Sequence, residues 1–148
     1  MAFKFRLQSV LNHRLYLEDM ARSEMVLCIQ AKRDCEDRIL WLREEMLRIR
    51  RDMTEKEKNG INASSFILTN DYVTVLRLQA LREEAKLPMI NARVEEARLK
   101  LVKAVQNRKV LETLCDRDRE EYNRAQLAAE QNLLDEVAVG AYVRGQSL

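Results

Sequence analysis

The side chains that most often carry chemistry in proteins are few in this sequence, which has one histidine and three cysteines. His13 has no cysteine or carboxylate beside it at the spacing of a metal site. We therefore expect a solvated or hydrogen-bonded histidine, and neither a base nor a metal ligand. Cys28 and Cys35 are separated by a heptad step and not by the CxxC spacing of metal or redox sites. We expect both, together with Cys115, to be small, buried and reduced side chains.

Sequence motifs give no support for an enzyme. The sequence contains neither a glycine-rich loop that could hold phosphates nor a nucleophile motif. Its 24 acidic residues could act as acids or bases only in a cleft that perturbs their pKa values, and the helices described next offer none. We therefore expect no catalytic activity, no cofactor and no metal ion.

The main pattern is a repeat of mostly apolar residues in alternating steps of three and four. This spacing is typical of helices that pack lengthwise in a left-handed coil. One such seam spans residues 7–53 and a second spans residues 66–143, and the only interior cluster of turn-forming residues lies between them. The spacing predicts an all-α fold, an antiparallel coiled-coil hairpin of two long helices.

The expected bounds follow from the ends of the two seams. We place helix one at about residues 8–58, the turn at about 59–64 and helix two at about 65–143. Pro88 lies inside helix two, where it removes a backbone donor. Because the seam keeps its phase on both sides of Pro88, we predict a kink there. A separate short helix that ends at Leu87 is the alternative.

The composition agrees with a protein of long helices. Of the 148 residues, 47% are hydrophobic but only 5% are aromatic, and we expect a single domain over residues 1–148. The net charge of +2 is small beside 26 basic and 24 acidic residues and gives no reason to expect a nucleic-acid partner. No apolar stretch approaches the length of a membrane span and no signal peptide is recognisable, so we expect a soluble, cytoplasmic protein.

The register of the hairpin follows from the position of the turn. With the turn centred on residue 61, the numbers of facing residues add up to about 122, and Leu11 then meets Leu111. At the same sum Arg14 faces Arg108, and Glu18, one turn along, can bridge both. A polar layer of this kind costs stability but disfavours slipped registers.

The two helices differ in length, so part of helix two is left over. Leu7 pairs near Cys115, and residues 116–143 then have no partner within the chain although they stay amphipathic. An isolated helix that exposes an apolar stripe invites binding, either to another protein or to a second copy. The alternating residues 1–6 are either a frayed end whose aromatic rings staple the first turn or a contact patch.

Runs of residues near both ends of the chain add a more specific pattern. They are Phe3-Lys4-Phe5-Arg6-Leu7-Gln8-Ser9-Val10-Leu11 near the start, and Arg108-Lys109-Val110-Leu111-Glu112, Arg119-Glu120-Glu121-Tyr122 and Leu134-Asp135-Glu136 further on. In these runs the chain resembles the FliJ family. Members of that family are general chaperones and ATPase stalk subunits of the bacterial flagellar type III export apparatus.

The resemblance implies a fold and a first partner. The fold is an antiparallel coiled coil similar to the central stalk of rotary ATPases, and the partner is the hexameric, FliI-like export ATPase. In the family, the end that carries both termini engages the ATPase. On this sequence the implied ATPase-binding positions are Arg14, Glu18, Tyr122 and Leu134.

The resemblance also implies contact with a FlhA-like export gate, through a face near the tip of the hairpin. The matching positions here are Leu42, Ile49, Tyr72 and Leu76. Three of these residues, Leu42, Ile49 and Leu76, are also heptad positions that we expect to pack between the two helices. A side chain cannot be both buried between helices and available to a partner. Escort of export chaperones is a further implied role, and the implied location is peripheral to the membrane export apparatus.

Two other functions are compatible with the same pattern. One is a generic structural coiled coil that self-associates through residues 116–143, and the other is the stalk protein of a related injectisome. The Phe-x-Phe opening favours flagellum biogenesis and motility over the injectisome.

Overall fold

The computed structural model describes residues 2–146 of the chain, and these residues form two helices. Helix α1 is Gln8–Asn59 and helix α2 is Ala63–Gln146. The helices contact each other extensively, and the predicted all-α helical hairpin is confirmed. Before α1, residues 2–7 have no helical or strand structure.

The connection between the helices is shorter than predicted, because both helices continue into the expected turn. Gly60 has a φ of 87°, a left-handed conformation that glycine adopts without steric cost and that commonly ends a helix. Asn62 caps α2, since its Oδ1 accepts a hydrogen bond from the backbone N–H of Ser64 at 3.1 Å. The chain therefore reverses over residues 60–62 alone.

Helix α2 runs through Pro88 without interruption, so the alternative of a separate short helix that ends at Leu87 is wrong. Proline removes one helical hydrogen bond and crowds the preceding turn. Buried side chains on both sides of Pro88, Ala80 and Ala97, are 5% and 2% exposed. Packing at both positions holds the helix together across the missing hydrogen bond.

The chain divides into two compact units. Unit A joins the described residues up to Asp19 with those from Lys103 onward, and unit B is Met20–Val102. The core of unit B lies where α1 and α2 approach the turn. It consists of Leu42, Ile49, Val73, Leu76 and Ala80, with Met46 packed against it.

The core of unit A includes residues that precede α1. Phe5 and Leu11 form one buried cluster with Leu111 and Cys115, and Phe3, Leu7 and Leu114 pack around it. The presence of Leu11 and Leu111 in one cluster confirms the register that the position of the turn predicts.

Candidate functional site

The last part of α2 is not covered by any other part of unit A. Every side chain in residues 123–139 is exposed, although many are apolar. We call residues 123–146 the C-terminal stretch. Its large exposed apolar side chains are Leu127, Leu133, Leu134, Val137, Val139, Tyr142 and Val143. Clustered apolar side chains that remain in water commonly mark a surface that binds another molecule.

The uncovered stretch begins later than the sequence predicts. The ring centroids of Phe3 and Tyr122 are 5.6 Å apart, and the guanidinium of Arg119 lies 5.6 Å from the centroid of the Phe3 ring. The prediction that residues 116–143 all lack a partner is therefore wrong for residues up to Tyr122. The reason is that residues 2–7 do not fray but extend along α2, where aromatic packing and a cation–π contact hold them.

The most apolar part of the C-terminal stretch also carries negative charge. Glu130, Asp135 and Glu136 lie among the leucines and valines, and no lysine or arginine occurs in residues 125–143. Gln131 donates a hydrogen bond to Asp135 at 2.9 Å along the helix. The surface thus offers a partner apolar contacts that are bordered by negative charge.

A polar layer crosses the core of unit A, about 22 Å along α2 before the C-terminal stretch. Arg108 contacts the carboxylate of Glu18 on α1 and donates to Glu112 on its own helix at 2.7 Å. The hydrogen bonds to Glu112 and then to Glu18 raise the pKa of Arg108 above its ordinary value. Glu18 is only 4% exposed. The predicted contact between Glu18 and Arg108 is present, and it fixes the register of the two helices.

The four implied ATPase-binding residues do not form one surface. Leu134 is exposed in the C-terminal stretch, Tyr122 and Arg14 are half-buried, and Glu18 is buried. Leu134 also lies about 18 Å along α2 from Tyr122, at 1.5 Å per residue. Of the four side chains, Leu134 is the one most available to a partner.

The four implied gate-binding residues divide between core and surface. Leu42, Ile49 and Leu76 belong to the core of unit B, where they are 5%, 7% and 3% exposed. Tyr72 is 46% exposed and lines a groove of about 640 Å³ near the turn. The core assignment thus holds for the three aliphatic residues, and of the four only Tyr72 has an exposed side chain.

Two exposed residues beside Tyr72 were not among the predicted gate-binding positions. Leu68 and Val75 line the same groove and are exposed, at 73% and 49%. They lie four residues before and three residues after Tyr72, which places all three on one face of α2. That spacing is the signal by which they could have been found.

Cys35 and Glu83 form a structural contact in the core of unit B. The Cys35 thiol is fully buried, and its Sγ–H donates to the backbone carbonyl of Glu83 at 3.4 Å. Burial, followed by the neighbouring Glu83, raises the pKa of the Cys35 thiol. Lys86 and Arg38 donate to the Glu83 carboxylate at 2.9 and 3.2 Å and lower its pKa. A thiol held protonated in this way is a poor nucleophile.

Neither a metal site nor a membrane span is found in the described part of the chain. Within residues 2–146, no three His, Cys, Asp or Glu side chains are grouped so that they could hold a metal ion. Over the same residues, neither helix has a window long and apolar enough to cross a bilayer.

Comparison with known protein families gives a match over residues 3–147 to the family described as Flagellar FliJ protein. The matched range includes both helices and nearly all of the segment before α1. Comparisons with curated proteins and with solved structures gave no significant match.

Proposed function

Because the chain belongs to the FliJ family, and is therefore a protein related to flagellar export, we propose that it is a non-enzymatic stalk and chaperone of the export apparatus. Its first partner is a FliI-like export ATPase ring, which holds the C-terminal stretch. Its second partner is a FlhA-like export gate, which contacts the surface around Tyr72. Export chaperones that it escorts are further partners.

The observation that carries the proposal is the uncovered apolar stripe of the C-terminal stretch. Leu127, Leu134 and Val137 are 66%, 63% and 58% exposed on a helix whose preceding part is packed in unit A. Full burial of a side chain of this size stabilises a contact by about 1.5–3 kcal/mol. A partner that encloses the stripe therefore gains several such contacts at little cost in ordering, because the helix is already formed.

The polar layer of unit A supports the same role. The contact of Arg108 with Glu18 ties α1 to α2 just before the region that residues 2–7 cover. A stalk must keep its two helices in one register while it is held at one end. We propose that the buried Glu18 holds the two helices in register at the ATPase-binding end and does not itself contact the ATPase.

The gate contact is proposed for the groove near the turn. Tyr72, Leu68 and Val75 present apolar surface there, while Ile49 forms part of its floor. Leu42 and Leu76 are buried in the same core cluster as Ile49. Aromatic and aliphatic side chains around a groove are the usual anchors of a protein interface.

The proposed location follows from these partners. Contact with the gate would hold the protein at the cytoplasmic side of the membrane export apparatus without insertion into the membrane.

Turnover of ATP by the cognate export ATPase tests the proposal. Addition of the full-length protein should raise the ATPase rate and promote assembly of the hexamer, which sedimentation can follow. An ATPase whose assembly and turnover are both unchanged by the protein would contradict the stalk function.

The gate contact needs a separate assay with a matched control. Tyr72→Ala should weaken binding to the purified cytoplasmic domain of the gate protein, whereas Tyr16→Ala should not. Tyr16 is also exposed, at 59%, but does not line the groove. If the two variants bind the gate equally well, the contact surface is elsewhere.

A further inference from the structure

A second open apolar surface lies between the helices of unit B. It is a groove of about 270 Å³ that is lined by Arg43, Met46, Leu47, Arg50 and Arg77, and we call it the arginine groove. It shares no lining residue with the groove beside Tyr72. On α1 its residues fall on the opposite flank of the buried Ile49 from Arg48 and Asp52, which line the other groove.

The charges around the arginine groove are not balanced. Arg43 is paired with Glu84, but Arg50 and Arg77 form no ion pair with any residue among 2–146. In the neighbouring groove that contains Trp41, by contrast, Arg38 and Lys86 both pair with Glu83. Unbalanced positive charge around an apolar floor attracts a partner that carries both apolar and acidic groups.

The α1 side of the groove has the spacing of a helix-packing surface. Leu40, Arg43, Leu47 and Arg50 follow one another in steps of three, four and three, so they form one stripe along the helix. Leu40 and Leu47 are 55% and 50% exposed. A helix laid along this stripe would meet leucine and arginine in alternation.

The C-terminal stretch carries the complementary stripe. Leu127, Glu130, Leu134 and Val137 follow one another in the same steps of three, four and three, with an acidic residue where the groove has Arg43. The apolar members of this stripe are also uncovered. One chain therefore contains both an arginine-bordered apolar groove and an acidic apolar helix, each without a cover.

We propose that the arginine groove of one copy receives the C-terminal stretch of a second copy. Leucines of the two stripes pack together as a third helix packs into the groove of a helix pair. Glu130, the acidic residue that shares a face with Leu127 and Leu134, meets the unbalanced charge of Arg50 and Arg77. The two surfaces are different, so the contact is heterologous, and it joins two copies reciprocally or continues from copy to copy.

This inference goes beyond the proposed stalk function and concerns its control. The C-terminal stretch cannot lie in the groove of a second copy and in the ATPase ring at the same time. The ATPase must therefore compete with the groove of the second copy for the C-terminal stretch. Because the contact is measured with the chain alone, its failure would leave the ATPase proposal intact.

The test is a pair of charge-reversed proteins in sedimentation equilibrium. One carries Arg50→Glu and Arg77→Glu, which makes the groove acidic, and the other carries Glu130→Arg, which makes the apolar stripe of the stretch basic. Each protein alone faces like charges and should show a dissociation constant for self-association about tenfold or more above that of the wild type. An equimolar mixture should regain association, because each groove then meets a stretch of opposite charge.

The matched control reverses two basic charges elsewhere. Arg93→Glu with Lys109→Glu changes the net charge by the same amount on exposed residues outside the groove, and should associate like the wild type. Circular dichroism confirms that all variants remain helical. A wild type that stays monomeric at millimolar concentration, or a mixture no more associated than its components, would overturn the proposal.

A membrane surface is the other acidic partner that the groove could attract. Vesicles that contain phosphatidylserine provide the probe. Vesicle binding that Arg50→Glu with Arg77→Glu abolishes, together with unchanged self-association of that variant, would assign the groove to lipid and overturn the inference.

Discussion

The ring of Phe3 packs against the ring of Tyr122, with centroids 5.6 Å apart and 52° between the ring planes. Through this contact, the segment that precedes α1 packs against α2 as far along as Tyr122. The contact is continued by Phe5, which is 8% exposed in the core of unit A. Of the two interpretations of residues 1–6, the frayed end is wrong for the described residues, because Phe3 and Phe5 pack against α2 and not only on the first turn of α1. The Phe3 contact defines where the uncovered stretch of α2 starts.

Loss of the Phe3 ring should weaken unit A measurably. Aromatic pairs contribute about 0.5–1.5 kcal/mol beyond the area they bury, so we expect Phe3→Ala to lower the free energy of unfolding by about 1 kcal/mol. Tyr142→Ala is the control, because Tyr142 is 66% exposed on α2, the helix against which Phe3 packs. Urea unfolding followed by circular dichroism gives both values. Equal effects of the two substitutions would show that the Phe3 contact adds nothing.

The core assignment of Leu76 predicts a large loss of stability. Leu76 is 3% exposed, and Leu→Ala substitutions at buried positions cost about 2–5 kcal/mol, since a cavity remains. Leu78→Ala, at a position that is 51% exposed, should change the free energy of unfolding by less than about 0.5 kcal/mol. Urea unfolding of both variants checks the assignment. A Leu76→Ala protein as stable as Leu78→Ala would place Leu76 outside the core.

Acid should act on unit B through Glu83. Its hydrogen bonds from Lys86 and Arg38 lower its pKa in the folded state below the ordinary value of 4.5. The ionised carboxylate therefore stabilises the fold fully above that value, and the contribution is lost as the pH falls through the folded pKa.

The comparison that isolates this effect is with Glu83→Gln. Between about pH 6 and pH 3 the urea midpoint of the wild type should fall more than that of the variant, which lacks the titrating group. Parallel pH profiles for the two proteins would mean that Glu83 adds no acid-sensitive stability.

The three cysteines should differ in reactivity. Cys28 is half-buried, whereas Cys35 and Cys115 are buried, and burial raises the pKa of Cys35. A maleimide added to the native protein should label Cys28 first, and label Cys35 and Cys115 only on unfolding. Peptide mass mapping after timed labelling measures this order. Fast native labelling of Cys35 would contradict its position in the core.

The sequence predicts what depends on periodicity. The heptad steps place Leu11 opposite Leu111, and they place Glu18 within reach of Arg108, because a constant period and one turn determine the register of a hairpin. They also carry α2 through Pro88, where packing on both sides outweighs one missing hydrogen bond.

What the sequence could not provide depends on contacts without a period. Phe3 lies in a segment that has no helical repeat. The heptad spacing therefore could not predict that Phe3 packs against Tyr122. The same heptad positions serve both for burial and for partner contact. For that reason the pattern could not decide whether Leu42 and Leu76 lie in the core, and the structure shows that they do.

Binding of the cognate export ATPase to the C-terminal stretch is the central claim, and its most direct measurement compares two single variants of the full chain. Leu134→Asp places a charge in the uncovered stripe, and Leu99→Asp places one at a similarly exposed leucine, 55% exposed, in unit B. We expect titration calorimetry to show binding by Leu134→Asp that is about tenfold or more weaker than wild type, with Leu99→Asp unchanged. Wild-type affinity in the Leu134→Asp protein would contradict the claim.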